Sequence, residues 1–245
     1  MIRAMLFDLD GTLVQTERLK ALSYARAVQE LCPQQVSEAA VLAAFKDVVG
    51  LPRREVALGL VERFGLANAA TARMSEFGVS APWQAFVQVR LAYYEEMLVD
   101  PQVLLDNQWP HNLALLEQAR RSGCKVGLAT MSYCKQVGRV LNILGLSDAF
   151  DFIASRDDVE RGKPDPEIYQ LVAAELETLP GECLVIEDSP SGVKAALAAG
   201  MWCIAVSTPF TRRALHKLEI LNERWIVDDP ANLPGVVSEM IQARN

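Results

Sequence analysis

The chain has 245 residues, with 24 Lys and Arg against 31 Asp and Glu, a formal net charge of −7 and 51% hydrophobic residues. This composition is typical of a soluble globular protein with one large domain or one domain that carries an insertion. Proteins that bind nucleic acids usually cluster Lys and Arg, and the chain has no basic block, so we expect no nucleic-acid partner. An acidic protein can still bind an anionic substrate through a metal ion.

The cysteines and the apolar stretches bear on the compartment. The five cysteines form no C-x-x-C pair, which indicates reduced thiols in a core. The apolar run at residues 4–7 is too short for the core of a signal peptide. The longest uncharged stretch, residues 195–211, is interrupted by Gly200 and Pro209 and is a poor membrane helix. We therefore expect a cytoplasmic protein without a membrane partner.

Short apolar runs alternate with helical patterns over much of the chain. The apolar runs predict buried strands of a parallel sheet, because strands covered on both faces lose the alternation of polar and apolar residues. These runs lie at residues 4–7, 126–129, 152–154, 184–186, 203–206 and 225–227. Helical spacing occurs at residues 112–122, 134–144, 166–177 and 191–199. The alternation predicts an α/β fold with a Rossmann-like parallel sheet.

One segment departs from this alternation. Residues 15–98 contain no convincing strand run and are rich in Ala, Leu, Glu and Arg with helical periodicity. Breaks in the helical pattern occur at Gly50-Leu51-Pro52, Gly65 and Gly78. We interpret this segment as an α-helical cap subdomain inserted after the first strand, and residues 1–14 and 99–245 as the core.

Acidic residues stand at the ends of two predicted strands. Asp8 and Asp10 follow the first strand, Glu187 and Asp188 follow the fourth, and Thr130 follows the second. In an open α/β sheet, the carboxyl ends of the strands are where ligands gather. Two like charges about 4 Å apart cost on the order of 4 kcal/mol at an effective dielectric of about 20. Four acids at these ends therefore indicate a site that binds a cation.

The chemistry that fits these residues is phosphoryl transfer. Asp8 is placed to act as a carboxylate nucleophile that forms an aspartyl-phosphate, which divides one difficult displacement into two easier ones. Asp10 lies two residues further on, on the same face of the chain, and could protonate the leaving oxygen and later deprotonate water.

The other residues would balance the charge. Carboxylate and carbonyl oxygens are the ligands that Mg²⁺ prefers. The predicted ligands are Asp8, Asp10 through its backbone carbonyl, Glu187 and Asp188. Thr130 would donate a hydrogen bond to a phosphoryl oxygen, and Lys163, in the loop before the fourth strand, would offset negative charge.

Four stretches resemble the four motifs of the haloacid dehalogenase (HAD) superfamily, in the family's order. They are DLDGTLV at residues 8–14, Thr130, GKPDP at residues 162–166, and VIEDSPSG at residues 185–192. The resemblance implies the catalytic roles given above, Mg²⁺ as the cofactor and a small helical cap as in sugar phosphatases, phosphoglycolate phosphatases and β-phosphoglucomutase. It argues against a dehalogenase, because those enzymes lack the second acid of the first motif, here Asp10.

The resemblance also implies contacts to the substrate. Expected phosphate or substrate contacts in the core are Gly11, Thr12, Met131 and Ser132, and those in the cap are Lys20, Arg53 and Arg90. Met131 stands where many of these phosphatases have Asn. Arg53 matches the Arg of a Gly-x-x-Arg segment that lies over the substrate in β-phosphoglucomutase; free amides at the helix start after Gly50 could also hold an anion.

Two functions stay open beside the main one. We expect a Mg²⁺-dependent phosphatase of a small phosphorylated metabolite, such as a sugar phosphate or phosphoglycolate, acting as a monomer or weak homodimer. A mutase of the β-phosphoglucomutase type is the first alternative, although those enzymes usually carry His where this chain has Lys20. A non-catalytic binding protein is disfavoured because every motif position is filled. An EF-hand, a receiver domain and a P-type ATPase each fit the first motif less well.

Overall fold

The computed structural model describes residues 1–32, 34–49 and 51–243, and the chain forms two compact units. The first unit consists of Met1–Gln15 and Leu104–Asn245, and the second of Thr16–Val103. The sequence interpretation placed the corresponding boundaries at 14/15 and 98/99. The assignment of the two units as catalytic core and cap stays a prediction.

The first unit contains a six-stranded sheet in which all neighbouring strands are parallel. The strands are β1 (Ala4–Phe7), β2 (Lys125–Ala129), β3 (Phe152–Ala154), β4 (Cys183–Glu187), β5 (Trp202–Val206) and β6 (Ile226–Val227). Each overlaps one of the apolar runs found in the sequence, and β1 and β4 are buried along their whole length. The predicted α/β fold with a Rossmann-like parallel sheet is therefore confirmed.

The order of the strands puts β1 in the middle of the sheet. The order is β3-β2-β1-β4-β5-β6, so that β1 pairs with β2 on one side and with β4 on the other. In this register Ala4 lies opposite both Lys125 and Cys183. The strand order changes direction between β1 and β4: it continues through β2 to β3 on one side and through β5 to β6 on the other. Open α/β sheets form a crevice at their carboxyl ends at such a point.

Helices fill the connections in both units. In chain order they are α1 (Thr16–Leu31), α2 (Glu38–Lys46), α3 (Arg53–Arg63), α4 (Ala67–Ala72), α5 (Met74–Phe77), α6 (Pro82–Met97), α7 (Gln102–Leu105), α8 (Pro110–Arg121), α9 (Cys134–Leu144), α10 (Glu167–Glu175), α11 (Pro190–Ala198), α12 (Arg212–His216) and α13 (Leu233–Gln242). The four helices expected from periodicity correspond to α8, α9, α10 and α11, whereas α12 and α13 were not expected. None of the helices in the described part of the chain combines the length and apolar character needed to cross a bilayer.

All the regular elements in the described residues of the second unit are helices. Its helices α1 and α6 are long and pack against each other, and α2 and α3 cover them. The rings of Phe45 and Phe86 each lie 5.6 Å from that of Tyr24, between centroids. This aromatic cluster and the small buried side chains of α1, such as Ala21 and Ala25, form the apolar centre of the unit.

The packing of α10 on β2 depends on a glycine. Gly127 lies in the middle of β2, and a Cβ at this position would stand 2.3 Å from Cγ1 of Val172 and 3.2 Å from Cδ1 of Leu176. Because Val172 lies on the buried face of α10, a methyl group at position 127 would push this helix away from the sheet.

We expect Gly127→Ala to lower the free energy of unfolding by about 1–3 kcal/mol, since overpacking a filled core forces backbone shifts. Urea denaturation measures this value. The matched control is Gly138→Ala in α9, where a Cβ would meet nothing within 4 Å and Ala should stabilise the helix by about 0.5–1 kcal/mol. Equal stability of the two variants would contradict the prediction.

Candidate active site

The carboxyl ends of three adjacent strands carry the polar residues found in the sequence. Asp8 directly follows β1, Thr130 follows β2, and Glu187 is the last residue of β4. Because β1 is hydrogen-bonded to both β2 and β4, these three residues lie side by side at one edge of the sheet. All three are buried. The site therefore coincides with the crevice at which the strand order changes direction.

Lys163 joins two of the acids. Its Nζ donates hydrogen bonds to Oδ1 of Asp8 at 2.8 Å, to Oε1 of Glu187 at 2.6 Å and to the backbone carbonyl of Ala129 at 2.9 Å. Only 3% of the lysine side chain is exposed, so all three ammonium protons are used inside the protein. The lysine thus contacts the ends of β1, β2 and β4 at once.

The three charged groups shift one another's pKa values. Burial raises the pKa of Asp8 to about 7, with Lys163 acting in the opposite direction. Burial lowers the pKa of Lys163, but the carboxylates of Asp8 and Glu187 outweigh burial and raise it above its usual value. For Glu187, burial raises the pKa, but Lys163 and the other hydrogen-bond donors lower it by more than burial raises it. The pKa of Glu187 therefore lies below its usual value. A bound cation would favour the ionised form of Asp8.

Glu187 accepts hydrogen bonds from other donors besides Lys163. Its Oε1 also accepts a hydrogen bond from the hydroxyl of Tyr169 at 2.9 Å. Its Oε2 accepts from the backbone amides of Asp188 and Ser189 and from the hydroxyl of Ser189, all at 2.9–3.0 Å. Ser189 is also the N-cap of α11. The carboxylate is therefore fixed from both of its oxygens.

Three carboxylates form a group that could hold a metal ion. Oxygen atoms of Asp8, Glu187 and Asp188 lie within 4.8 Å of one another, and all three residues are buried. Three carboxylates and the single ammonium of Lys163 leave a formal charge of −2, which a divalent cation would balance. The donors are hard oxygen atoms, which suit Mg²⁺. The residues of the site therefore fit the expected cofactor.

Gly11 makes room for this group. Its φ of +93° lies in the left-handed region that favours glycine, and a Cβ here would stand 2.2 Å from Oδ2 of Asp188. Any other residue at this position would collide with the third carboxylate. Gly11 thus has a structural role beside its expected contact to phosphate, which stays a prediction.

Asp10 lies outside the carboxylate group and has its own partner. The hydroxyl of Ser132 donates a hydrogen bond to Oδ2 of Asp10, and the backbone amide of Ser132 donates to Oγ1 of Thr130 at 3.1 Å. A chain of hydrogen bonds therefore leads from Thr130 through Ser132 to Asp10. Separation of Asp10 from the carboxylate group suits a residue that must exchange protons rather than bind the metal through its side chain.

Comparison with known families places the chain. The family model of the haloacid dehalogenase-like hydrolases matches residues 2–200, which includes all four motifs. The chain is a HAD-like hydrolase. The predicted membership of this superfamily is confirmed, as is the prediction of a hydrolytic enzyme.

Relatives of this HAD-like hydrolase cover most of its length. The phosphorylated carbohydrates phosphatase of Thermotoga maritima is 30% identical over 82% of both chains. The β-phosphoglucomutase of Bacillus subtilis is 26% identical over 91% of this chain and 96% of its own. Among solved structures, β-phosphoglucomutase from Clostridium difficile has a TM-score of 0.70 at 24% identity, covering 98% of this chain and 99% of that one, which is a likeness of fold.

Two further predicted residues of the HAD-like core have packing roles. Thr12 is fully buried, its backbone carbonyl accepts a hydrogen bond from the side-chain amide of Asn112, and its hydroxyl has no partner within the described part of the chain. The side chain of Met131 lies against Gly162, where a Cβ would stand 2.4 Å from Cε of the methionine. Contacts from Thr12 and Met131 to a substrate stay predictions.

The predicted cap residues belong to the second unit. Arg90 is buried, and its guanidinium lies 5.0 Å from the ring of Tyr24 and 4.7 Å from the ring of Tyr94, so it is not a solvated helix charge. Lys20 and Arg53 are half-buried. Gly50, whose neighbouring amides were expected to hold an anion, lies outside the described residues. The roles of the cap residues stay predictions.

Two residues of the site were not singled out in the sequence. Tyr169 lies six residues after Lys163 on the buried face of α10, and Gly192 lies below the carboxylate of Glu187, where a Cβ would stand 1.7 Å from Oε1. A buried tyrosine hydroxyl needs a partner, so a Tyr on the apolar face of the helix after the third motif is a usable signal. Gly192 is the last residue of the fourth motif, but the sequence pattern predicts no role for it.

Gly192 yields a test of the carboxylate group. We expect Mg²⁺ to raise the Tm of the wild-type protein, because a ligand that binds only the folded state stabilises it by about 2.7 kcal/mol at 100 times its Kd. Gly192→Ala should lose most of this rise, since its Cβ displaces Glu187. Thermal unfolding with and without Mg²⁺ is the measurement.

Gly235→Ala is the matched control for this experiment. Gly235 is likewise the third residue of its helix, α13, and a Cβ there would meet nothing within 4 Å. The control should keep the full response to Mg²⁺. An equal response in Gly192→Ala would mean that the position of Glu187 is irrelevant to metal binding.

Proposed function

We propose that this HAD-like hydrolase is a Mg²⁺-dependent phosphatase that hydrolyses a small phosphorylated metabolite through an aspartyl-phosphate on Asp8. The observation that carries the proposal is the buried Asp8 carboxylate, held by Lys163 beside two further acids at the crevice of the sheet. The names of relatives agree with it, since they include the phosphorylated carbohydrates phosphatase and the validoxylamine A 7'-phosphate phosphatase of Streptomyces hygroscopicus subsp. limoneus.

In the first step, a carboxylate oxygen of Asp8 attacks the phosphorus atom, and the ester bond between phosphorus and the leaving oxygen breaks. Asp10 gives its proton to that oxygen, so that the alcohol departs neutral. Lys163 keeps Asp8 oriented through the hydrogen bond to Oδ1 and offsets part of the charge of the phosphoryl group. Thr130 is proposed to donate to a phosphoryl oxygen.

In the second step, water attacks the phosphorus of the aspartyl-phosphate, and the carboxylate of Asp8 is the leaving group. Asp10, now ionised, accepts the proton of the attacking water. Ser132 donates a hydrogen bond to Oδ2 of Asp10 and so helps to orient the carboxyl group for this exchange. Mg²⁺, which Asp8, Glu187 and Asp188 would hold with the backbone carbonyl of Asp10, supplies charge neutralisation for the phosphoryl oxygens when bound.

The proposed substrates are sugar phosphates and phosphoglycolate-like metabolites. A phosphorylated carbohydrate phosphatase among the relatives favours the sugar phosphates. Lys20, Arg53 and Arg90 are the proposed cap contacts to the part of the substrate that is not transferred. We also propose that the enzyme acts in the cytoplasm, because its five cysteines are free thiols, as a reducing compartment maintains them.

Replacing the nucleophile tests the mechanism. We expect Asp8→Asn to lower kcat for phosphate release at least about 10³-fold, since loss of a covalent nucleophile leaves only binding and electrostatic catalysis. Asp148→Asn, on the exposed surface, is the matched control and should keep full activity. Release of inorganic phosphate from a panel of metabolite esters, with Mg²⁺ and with a chelator, is the measurement. Activity retained by Asp8→Asn would place the nucleophile elsewhere.

Glucose phosphates distinguish the phosphatase from a mutase. We expect incubation with β-glucose 1-phosphate to yield free phosphate, because the chain has Lys20 at the position where such mutases usually carry a His. Phosphorus NMR follows both products in one sample. Rapid formation of glucose 6-phosphate with little free phosphate would instead assign the chain to the mutases, whose Bacillus subtilis member is 26% identical to it.

A further inference from the structure

We propose that Tyr169 is a positioning residue of the active site, whose hydroxyl fixes Glu187 and thereby keeps Lys163 on Asp8. The inference rests on the proposed phosphatase function for its kinetic readout. Tyr169 belongs to none of the predicted catalytic, phosphate-binding or metal-binding residues. It does not face the substrate in this role and acts only through its two charged neighbours.

Tyr169 contacts both partners of the ion pair between Lys163 and Glu187. The side chain is fully buried on α10, and its hydroxyl donates to Oε1 of Glu187 at 2.9 Å. Nζ of Lys163 donates to the same oxygen at 2.6 Å and lies 4.9 Å from the centroid of the tyrosine ring. The phenol therefore offers a polar hydrogen to the acid and an aromatic face to the ammonium.

The two oxygens of Glu187 are held in different ways. Oε2 accepts three donors that belong to Asp188 and Ser189, the residues directly after Glu187 in the chain. Oε1 accepts hydrogen bonds from side chains of other segments, namely Lys163 in the loop and Tyr169 on α10. The hydroxyl of Tyr169 is thus the neutral donor that shares Oε1 with the ammonium of Lys163.

Sharing this oxygen has a consequence for Lys163. A donor on Oε1 reduces the negative charge that Glu187 presents to Nζ, and the ammonium must divide itself between Glu187 and Asp8. Without the hydroxyl, Glu187 would attract the ammonium more strongly and draw it away from Oδ1 of Asp8. The nucleophile would then lose the hydrogen bond that orients it. A buried tyrosine that served packing alone would have no such effect.

Tyr169→Phe isolates the hydroxyl, because it keeps the ring and its contact to Lys163. We expect kcat for phosphate release to fall about tenfold, which corresponds to about 1.4 kcal/mol, with KM changed less than about twofold. Calorimetry with Mg²⁺ present should show that inorganic phosphate binds about threefold more weakly, because Lys163 offsets the charge of phosphate less well. Urea denaturation of both proteins shows whether the variant is folded under assay conditions.

Tyr93→Phe is the matched control. Tyr93 also donates its hydroxyl to a glutamate, Glu30, at 2.8 Å, but it lies in the second unit. The control removes the same chemical group and should change neither kcat nor phosphate binding. A second control is the double variant with Glu187→Gln, in which the removal of the Tyr169 hydroxyl should cost less than about twofold because its partner is already altered.

The outcomes separate this inference from the proposed function. Wild-type kcat and wild-type phosphate affinity in Tyr169→Phe would overturn the role of Tyr169 as a positioning residue. The same conclusion would follow if Tyr169→Phe lowered kcat tenfold in the wild type and also tenfold in the Glu187→Gln background. If the wild-type chain releases no phosphate from any ester, the proposed function fails. The binding of inorganic phosphate to Tyr169→Phe and Tyr93→Phe then still decides whether the hydroxyl positions the site.

Discussion

The buried ammonium of Lys163 is the group on which the site depends. Removing charges from water costs several kcal/mol per ion, and a buried ion pair offsets this cost only with good geometry and satisfied hydrogen bonds. Lys163 meets this condition with three acceptors, but it cannot neutralise Asp8, Glu187 and Asp188 together. With all three acids ionised the formal excess is two negative charges, which suits the binding of a divalent cation rather than stability of the core.

The topology of the sheet explains why these charges meet. Since β1 lies between β2 and β4, the residues that follow each strand converge without any long loop. Backbone shape then makes the space: Gly11 leaves room for Asp188, and Gly192 leaves room for Glu187. The acids are thus held at the ends of β1 and β4 and at the start of α11 rather than in long loops, which suits a site that stabilises charge by preorganisation.

Strand positions and the principal acids could be predicted because each depends on local sequence. A short apolar run that ends in Asp8 or Glu187 shows both the strand and the residue at its end. Tyr169 and Ser132 could not be assigned in the same way, since their hydroxyls reach Glu187 and Asp10 only through the packing of α10 on the sheet and the turn after β2. The helices α12 and α13 could not be predicted from periodicity in the same way, because α12 has only five residues and α13 begins with Leu233-Pro234-Gly235, which breaks the helical pattern.

The donors around Asp8 are largely engaged with the acids of the core. Lys163 contacts Asp8 and Glu187, Tyr169 contacts Glu187, and Ser132 contacts Asp10. Groups arranged in this way orient Asp8 and Asp10, the proposed nucleophile and proton donor, which every phosphate ester requires alike. They carry little information about the rest of the substrate. Discrimination between metabolites must therefore come from other residues. Arg90 is one of the proposed cap contacts, and its burial beside two tyrosine rings of the helical unit restricts its guanidinium, as such discrimination requires.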